Sequence, residues 1–241
     1  MRAKLAFFTL CLLLPATASA QMRQIEYSAG TGFFVSRAGD IITNKHVIQS
    51  CKSGSIELRG AVTGHATPVA THAQYDLALL RADKTPPSVA PLLADDRMIT
   101  PGDPVMVIGY PLEHAQTPEH KTTMSRVVGT NGPLGETQWI QFENSAQYGN
   151  SGGPLLDMSG HVIGVVTGKT ELYSIDKNNR RQEISNSDIA VSLPILQGFL
   201  DARSVRYTTQ GSMAKRMNDH VERNASQFIV NIRCITGEKF L

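Results

Sequence analysis

The sequence predicts an all-β protein built as an antiparallel sandwich or barrel, and three observations support this class. Apolar or alternating runs of three to nine residues recur along most of the chain. Turn clusters such as AGD, KSG, NGPLG and DMSG separate these runs, and no segment of helical periodicity appears before Leu196. Many short strands at such spacing are typical of antiparallel sandwiches and barrels.

Each predicted strand is an apolar or alternating run bounded by turn residues. The predicted strands lie near Thr31–Ser36, Ile41–Thr43, Ser55–Leu58, Val62–Ala70, Leu77–Arg81, Val105–Gly109, Lys121–Val128, Gln138–Glu143, Val162–Thr167 and Ile189–Leu193. Beyond them, ILQGFLDARS predicts a short helix, Ser212 is placed to cap a second one, and QFIVNIRC has the pattern of a closing strand.

The first twenty residues have the three-part layout of a secretory signal peptide. Arg2 and Lys4 precede an apolar run of ten residues, and Ala18-Ser19-Ala20 supplies small residues for cleavage. A membrane span needs about 20 apolar residues, so we expect export after removal of residues 1–20 rather than an anchor.

Charge and composition exclude several partner classes. Cleavage after Ala20 leaves 21 basic and 21 acidic residues in the mature chain. Nucleic-acid or polybasic membrane binding needs a basic excess, so we expect neither, and no further apolar run reaches spanning length. His114 and His120 could pair on a loop, but no further ligand set has usable spacing, and we expect no metal or cofactor.

The GNSGGPL run holds the strongest chemical signal of the chain. A serine hydroxyl becomes a nucleophile when a base takes its proton and donors receive the charge on the substrate oxygen. The backbone N–H groups of Gly149 and Ser151 can point the same way in such a turn and form an oxyanion hole. The alternative is a glycine-rich hairpin turn in which Ser151 caps a backbone group.

A base and an orienting acid complete the hypothesis. Of the seven histidines, His46 directly follows a predicted strand, in GDIITNKHVIQSC. Asp76 opens YDLALLRAD, and a carboxylate before a buried strand is costly unless it has a partner. By itself, Asp76 is better interpreted as a strand-end cap.

Three blocks together resemble the catalytic motifs of trypsin-like serine proteases, and most closely those of the bacterial Deg/HtrA-type branch. They are GTGFFVSRAGDIITNKHVI, YDLALLRAD and GNSGGPLLDMSGHVIGV, and the resemblance covers about Ser28 to Pro194. It implies two six-stranded antiparallel β-barrels with the site between them. It also implies that His46 is the general base, Asp76 its orienting acid and Ser151 the nucleophile, with Gly149 and Ser151 as oxyanion donors.

The resemblance places the domains and marks two departures. We expect an N-terminal barrel at about 21–110, a C-terminal barrel at about 111–200 and a helix-strand extension at 201–241. Asn150 stands where digestive trypsin-like enzymes carry an aspartate that pairs with a new N-terminus, so activation by N-terminal insertion is not expected. Only about 40 residues follow the protease motifs, too few for the PDZ domain usual in this branch.

By analogy, the specificity pocket involves Ser145, Thr167 and Asp188. The Asp188 carboxylate would favour a basic substrate side chain if it faced the pocket. The sequence favours the interpretation of Asp188 as a solvated strand-end residue.

The mature chain keeps two cysteines, Cys51 and Cys234. Export to an oxidising compartment favours a disulfide between them. Alternation in QFIVNIRC also places Cys234 on the apolar face of its strand. The alternative is two separate thiols.

The sequence therefore predicts an exported serine endopeptidase that hydrolyses polypeptides, periplasmic or secreted from a Gram-negative bacterium, with a monomer favoured. Two alternatives stay open. One is a binding or chaperone-like module on the protease fold, and the other is a protease that cuts mainly its own chain.

Overall fold

The computed structural model describes residues 23–52, 54, 56–94, 98–112, 119–132, 135–143, 145–175, 181–211 and 218–240. The elements in chain order are β1 (Arg23–Phe34), β2 (Asp40–Thr43), α1 (Lys45–Ile48), β3 (Glu57–Gly60), β4 (Gly64–Thr71), β5 (Ala78–Ala82), β6 (Leu92–Leu93), β7 (Pro104–Gly109), β8 (Lys121–Gly129), β9 (Trp139–Glu143), β10 (Pro154–Asp157), β11 (Val162–Ile175), β12 (Arg181–Ser192), α2 (Leu193–Asp201), β13 (Thr209–Gln210), α3 (Asn218–Ala225) and β14 (Ile229–Phe240).

Six antiparallel strands close the first barrel, in the order β1-β14-β3-β4-β5-β2. Its interior is filled by large aliphatic and aromatic side chains. Phe33, Phe34, Ile41 and Leu80 are all fully buried.

The second barrel is also six-stranded and antiparallel. Its strands follow the order β10-β7-β8-β9-β12-β11, and the pairing of β10 with β11 closes it. The short strands β6 and β13 extend the sheet beyond β11 through parallel pairings. The two barrels confirm the double-barrel fold predicted from the sequence.

The C-terminal segment is part of the first barrel rather than a separate extension. β14 pairs with β1 from Phe33↔Ile229 to Arg23↔Phe240 and with β3 on its other side. It is therefore a member of the first barrel and not an addition at 201–241. The barrel boundary also differs from the expected one near residue 110, because β7 already belongs to the second barrel.

The helices lie where local sequence places them. α2 begins after Ser192 with Pro194 in its first turn, a position that tolerates proline because its missing N–H would have no helical partner. Leu196, Phe199 and Leu200 of this helix are buried. α3 follows the predicted cap Ser212, which lies outside the described residues.

Candidate active site

The three predicted catalytic residues lie at the junction of the two barrels. His46 belongs to α1 directly after β2, Asp76 precedes β5, and Ser151 lies in the turn before β10. A cleft of about 500 Å³ is lined by His46 and Ser151, and its walls come from both barrels. The fold thus brings together residues that are 30 and 75 positions apart in the sequence.

His46 and Asp76 form a doubly hydrogen-bonded pair. The Nδ1 atom of the His46 ring bonds to Oδ2 of Asp76, and the His46 backbone N–H donates to Oδ1 at 2.9 Å. Burial by itself raises the pKa of Asp76, but the hydrogen bonds and charge of His46 outweigh it and lower the pKa below its ordinary value. The ionised carboxylate therefore holds the proton on Nδ1 and leaves Nε2 free to act as a base.

Asn44 and Ser28 hold this pair in position. The fully buried Asn44 donates from Nδ2 to the carbonyl of Asp76 at 2.6 Å and to Oγ1 of Thr167 at 3.3 Å. The Ser28 hydroxyl donates to the carbonyl of Val47 at 2.8 Å and so fixes α1 against β1. Sequence reasoning missed both residues. Asn44 was missed because an asparagine before a helix is ordinarily interpreted as its cap.

The Ser151 hydroxyl donates to the carbonyl of Thr167 at 3.4 Å. Among the described residues this is the one hydrogen bond of the Ser151 hydroxyl, and the hydroxyl makes none to the His46 ring. Catalytic hydrogen bonds are often long in the absence of substrate and tighten when it binds. His46 lines the same cleft as Ser151.

The glycines around Ser151 are required by close backbone approaches. Gly149 has φ +100°, and a Cβ atom there would lie 2.2 Å from the carbonyl oxygen of Tyr110. Gly152 has φ +83°, and its Cβ would lie 2.2 Å from Oγ1 of Thr43. A side chain at either position would be strained and would collide, at Gly149 with the segment after β7 and at Gly152 with the first barrel. Within the described part of the chain, the N–H groups of Gly149 and Ser151 donate to no backbone carbonyl.

Thr31 connects the nucleophile turn to the first barrel. Its backbone N–H donates to the carbonyl of Ser151 at 2.9 Å, and its hydroxyl donates to the carbonyl of Gly149 at 2.7 Å. The same hydroxyl accepts the N–H of Tyr110 at 2.9 Å. Thr31 is fully buried, so these bonds are shielded from water. Sequence reasoning did not identify Thr31. The available signal in the sequence was its position between two glycines in the GTG segment.

The predicted specificity-pocket residues lie in different places. Thr167 and Asp188 line the cleft with Ser151, together with Ala146–Gly149 and Gly168-Lys169. Ser145 lies behind this wall, where its backbone N–H donates to Oδ2 of Asp188 at 2.6 Å. Asp188 has no solvent exposure, so its interpretation as a solvated strand-end residue is wrong.

Cys51 and Cys234 form a disulfide with their Cα atoms 5.5 Å apart. The backbone N–H of Lys52 also donates to the carbonyl of Ile235 at 2.9 Å. These two links join the segment after α1, and hence His46, to β14.

Metal ligands do not cluster in the described part of the chain, where no group of three or more His, Cys, Asp and Glu side chains could hold an ion. His114 lies outside the described residues. His120 places Nε2 3.5 Å from Glu222.

Comparison with known proteins places this site in a family. The trypsin-like peptidase domain family matches residues 30–165, which include all three predicted catalytic residues. The chain belongs to the trypsin-like peptidase family.

Several proteins are similar to this chain over most of its length. Serine protease HTRA1B of Danio rerio is 31% identical over 171 residues, 68% of this chain and 36% of the relative. A probable periplasmic serine endoprotease DegP-like of Bartonella henselae is 33% identical over 151 residues, 62% of this chain and 29% of the relative. The uncharacterized protein y4bJ of Sinorhizobium fredii is 38% identical over 220 residues, 91% of this chain and 34% of the relative. The chain thus spans about a third of these relatives.

Solved structures show the same fold. The serine endoprotease from Yersinia pestis superposes with a TM-score of 0.55 at 24% identity, over 72% of this chain and 56% of that one. The HtrA-type protease AlgW, solved with a decapeptide, gives a TM-score of 0.55 at 25% identity, over 72% of this chain and 50% of that one. Together with the HTRA1B and DegP-like relatives, these matches confirm the resemblance to the Deg/HtrA-type branch. In the described ranges, no helix is both long and apolar enough to cross a bilayer.

Proposed function

We propose that this trypsin-like peptidase is an exported serine endopeptidase that acts through His46, Asp76 and Ser151. The observation that carries the proposal is the cleft geometry. His46, which is hydrogen-bonded to Asp76, and Ser151 line one cleft, beside backbone N–H groups that no backbone carbonyl of the described residues accepts. A base, its orienting acid, a nucleophile and oxyanion donors are the components that acyl transfer needs.

The proposed reaction begins with the Ser151 hydroxyl turned toward His46. Oγ attacks the carbonyl carbon of the scissile peptide, and Nε2 of His46 takes the hydroxyl proton. Asp76 stabilises the imidazolium ion, while the N–H groups of Gly149 and Ser151 receive the negative oxygen. The C–N bond then breaks as His46 returns the proton to the leaving amine, and water, activated by His46, hydrolyses the acyl-enzyme to free Ser151.

Asn150 bears on how the site becomes competent. It is 2% exposed, and its Oδ1 atom has no hydrogen-bond partner among the described residues. A neutral amide cannot form an ion pair with an α-amino group, so we do not propose activation by N-terminal insertion. Thr31 performs the comparable structural task, because it fixes the Gly149 and Ser151 carbonyls directly.

Export is the second part of the proposal. The signal-like residues 1–20 lie outside the described part of the chain. Support comes from the relatives named as periplasmic DegP-like endoproteases and from the disulfide, which is typical of oxidising compartments. Polypeptides are the proposed substrates and a monomer the proposed state.

The decisive experiment is labelling of the mature protein with a fluorophosphonate, which reacts with activated serines. We expect one label on the peptide that contains Ser151 in the wild type and none in Ser151→Ala, which should lose at least about 10⁴-fold in hydrolysis rate. Equal far-UV circular dichroism of the two proteins controls for folding. An unlabelled wild type would instead favour a chaperone-like module, and a peptide-library digest separates a general protease from one that cuts only itself.

A further inference from the structure

The predicted orienting acid Asp76 lies in a tight loop, residues 72–77, that connects β4 to β5. The backbone N–H of His72 closes this loop, because it donates to the carbonyl of Leu77 at 2.9 Å. The N–H of Leu77 in turn donates to the carbonyl of Tyr75 at 2.7 Å. Asp76 lies inside this ring of backbone bonds, so the conformation of the loop sets the position of its carboxylate.

The side chain of His72 supports the loop from within. Its Nδ1 atom accepts the backbone N–H of Gln74 at 3.1 Å and that of Tyr75 at 3.0 Å. A ring nitrogen that accepts a hydrogen bond carries no proton, so the ring is the neutral tautomer with its hydrogen on Nε2. A protonated imidazole has a donor on each nitrogen. Both bonds to the loop therefore exist only in the neutral form of His72.

The surroundings of the ring keep it neutral. His72 is half-buried, and its ring centroid lies 4.7 Å from that of Tyr75 and 5.7 Å from that of Phe199 in α2. The guanidinium group of Arg203 lies 3.8 Å from the centroid of the Phe199 ring and donates to the carbonyl of Thr71 at 3.3 Å. Burial first, and the positive charge of Arg203 second, lower the pKa of His72 below its ordinary value.

We propose that His72 is a positioning residue of the active site and that its neutral imidazole ring holds the loop that presents Asp76 to His46. The inference rests on the proposed peptidase function and adds to it a residue that does not line the cleft. Asp76 binds the ring and the backbone N–H of His46 through its carboxylate, and it accepts a bond from Asn44 through its carbonyl. All three bonds depend on where the loop places the backbone of Asp76.

The proposal links a second proton to activity. Protonation of His46 removes the base, and protonation of His72 releases the loop, so two protons inactivate the enzyme in acid rather than one. Arg203 faces the His72 ring from the end of α2, and Tyr75 and Asp76 are the titratable groups of its own loop. The pKa of Asp76 is lowered, so this carboxylate stays ionised above about pH 5.

The first test compares two substitutions that separate the acceptor from the ring. His72→Phe keeps an aromatic ring beside Tyr75 and Phe199 but has no acceptor, whereas His72→Asn keeps an acceptor for the same turn and does not titrate. We expect kcat/KM at about pH 8 to fall at least about tenfold in His72→Phe, mainly through kcat, with the loss of about 10⁴-fold for a missing orienting acid as the limit. His72→Asn should stay within about threefold of the wild type.

The second test is the pH dependence of kcat/KM between about pH 5 and about pH 8. In His72→Asn a single proton should control the acid limb, with a fall of about tenfold per pH unit. The wild type should follow this line near neutral pH and lose at least about tenfold more as His72 is protonated. His65→Asn, which removes an exposed histidine of β4, should keep the wild-type profile. Circular dichroism at the lowest pH controls for acid unfolding.

Three results would overturn the inference. They are wild-type kcat/KM in His72→Phe, an equal loss in His72→Phe and His72→Asn, and a wild type whose acid limb follows a single proton. Fluorophosphonate labelling at about pH 8 separates the two proposals. A labelled wild type with any of these results fails this inference alone, and an unlabelled wild type fails the proposed function.

A spectroscopic measurement keeps the inference testable if His72→Phe does not fold. Imidazole nitrogen NMR of the Ser151→Ala protein reports which ring nitrogen of His72 carries the hydrogen, and the His72 signals are those that disappear when His72→Asn is added. We expect the hydrogen on Nε2 and none on Nδ1 at about pH 8. A hydrogen on Nδ1, in either the neutral or the charged ring, would refute the acceptor role.

Discussion

Thr31→Val removes one hydroxyl from the fully buried link between the first barrel and the nucleophile turn. Valine has nearly the shape of threonine and suits a β-strand, so the backbone bond from Thr31 N–H to the carbonyl of Ser151 is kept. The hydroxyl bonds to the Gly149 carbonyl at 2.7 Å and from the Tyr110 N–H at 2.9 Å are lost.

The magnitude follows from the two groups left without partners. A buried backbone group that loses its partner costs about 1–3 kcal/mol, so for the two groups the free energy of unfolding should fall by about 2–6 kcal/mol. The same change frees the Gly149 carbonyl, and the N–H group of the same residue is a proposed oxyanion donor. Loss of a whole oxyanion donor costs about 10²–10³-fold in kcat, and this sets the upper limit for a residue that only positions the donor.

The assay pairs urea unfolding with steady-state kinetics on one good peptide substrate. We expect Thr31→Val to lower kcat by at least about tenfold with little change in KM, because oxyanion contacts strengthen in the transition state. Thr31→Ser keeps the hydroxyl and should restore most of kcat. A Thr31→Val enzyme with wild-type kcat would refute the positioning role, and an equal kcat loss in Thr31→Ser would assign the effect to the lost methyl group.

Two further predictions concern stability. Burial raises the pKa of Asp188 in the folded protein, so stability from this group is complete below the unfolded pKa and is lost as pH rises through the folded pKa. Asp188→Asn should therefore gain stability relative to wild type as pH rises from about 4 to about 8 in urea unfolding, and a difference that does not vary with pH would contradict the raised pKa. The Cys51–Cys234 bond spans 183 positions, for which chain entropy gives about 5 kcal/mol as a limit and measured gains are about 2–4 kcal/mol. Replacing both cysteines by serine should cost about that much, and non-reducing mass spectrometry of the exported protein should find one cross-linked peptide pair, whereas two free thiols would refute the bond.

Local pattern was sufficient for about half of the strands and for the candidate triad. Apolar runs and turn clusters located β2–β5 and β7–β9 to within two residues, whereas β1, β11, β12 and β14 each extend at least six residues beyond the predicted run. Ser151 was conspicuous because a run of glycines surrounded it, and the order of three motifs led to His46 and Asp76. Such signals are contained in a few neighbouring residues and can be recognised without knowing which other segments those residues contact.

Which strands pair with each other could not be predicted from the sequence. QFIVNIRC predicted a strand, but nothing in it showed that β14 closes the first barrel with β1. Sheet hydrogen bonds join backbone groups that every residue type carries, so the choice of partner depends on the packing of the whole barrel.

The sequence by itself determined the class of fold, the motifs of the candidate site and the residues that could do chemistry. Tertiary structure alone decided what surrounds them. Thr31 bonds to a carbonyl 118 positions away, and Oδ2 of the fully buried Asp188 accepts the N–H groups of Ser145 and Ala146, 43 and 42 positions earlier. Burial and hydrogen-bond partners depend on neighbours that are remote in the chain, so the same aspartate is a solvated strand end in the sequence and a buried, hydrogen-bonded carboxylate in the fold.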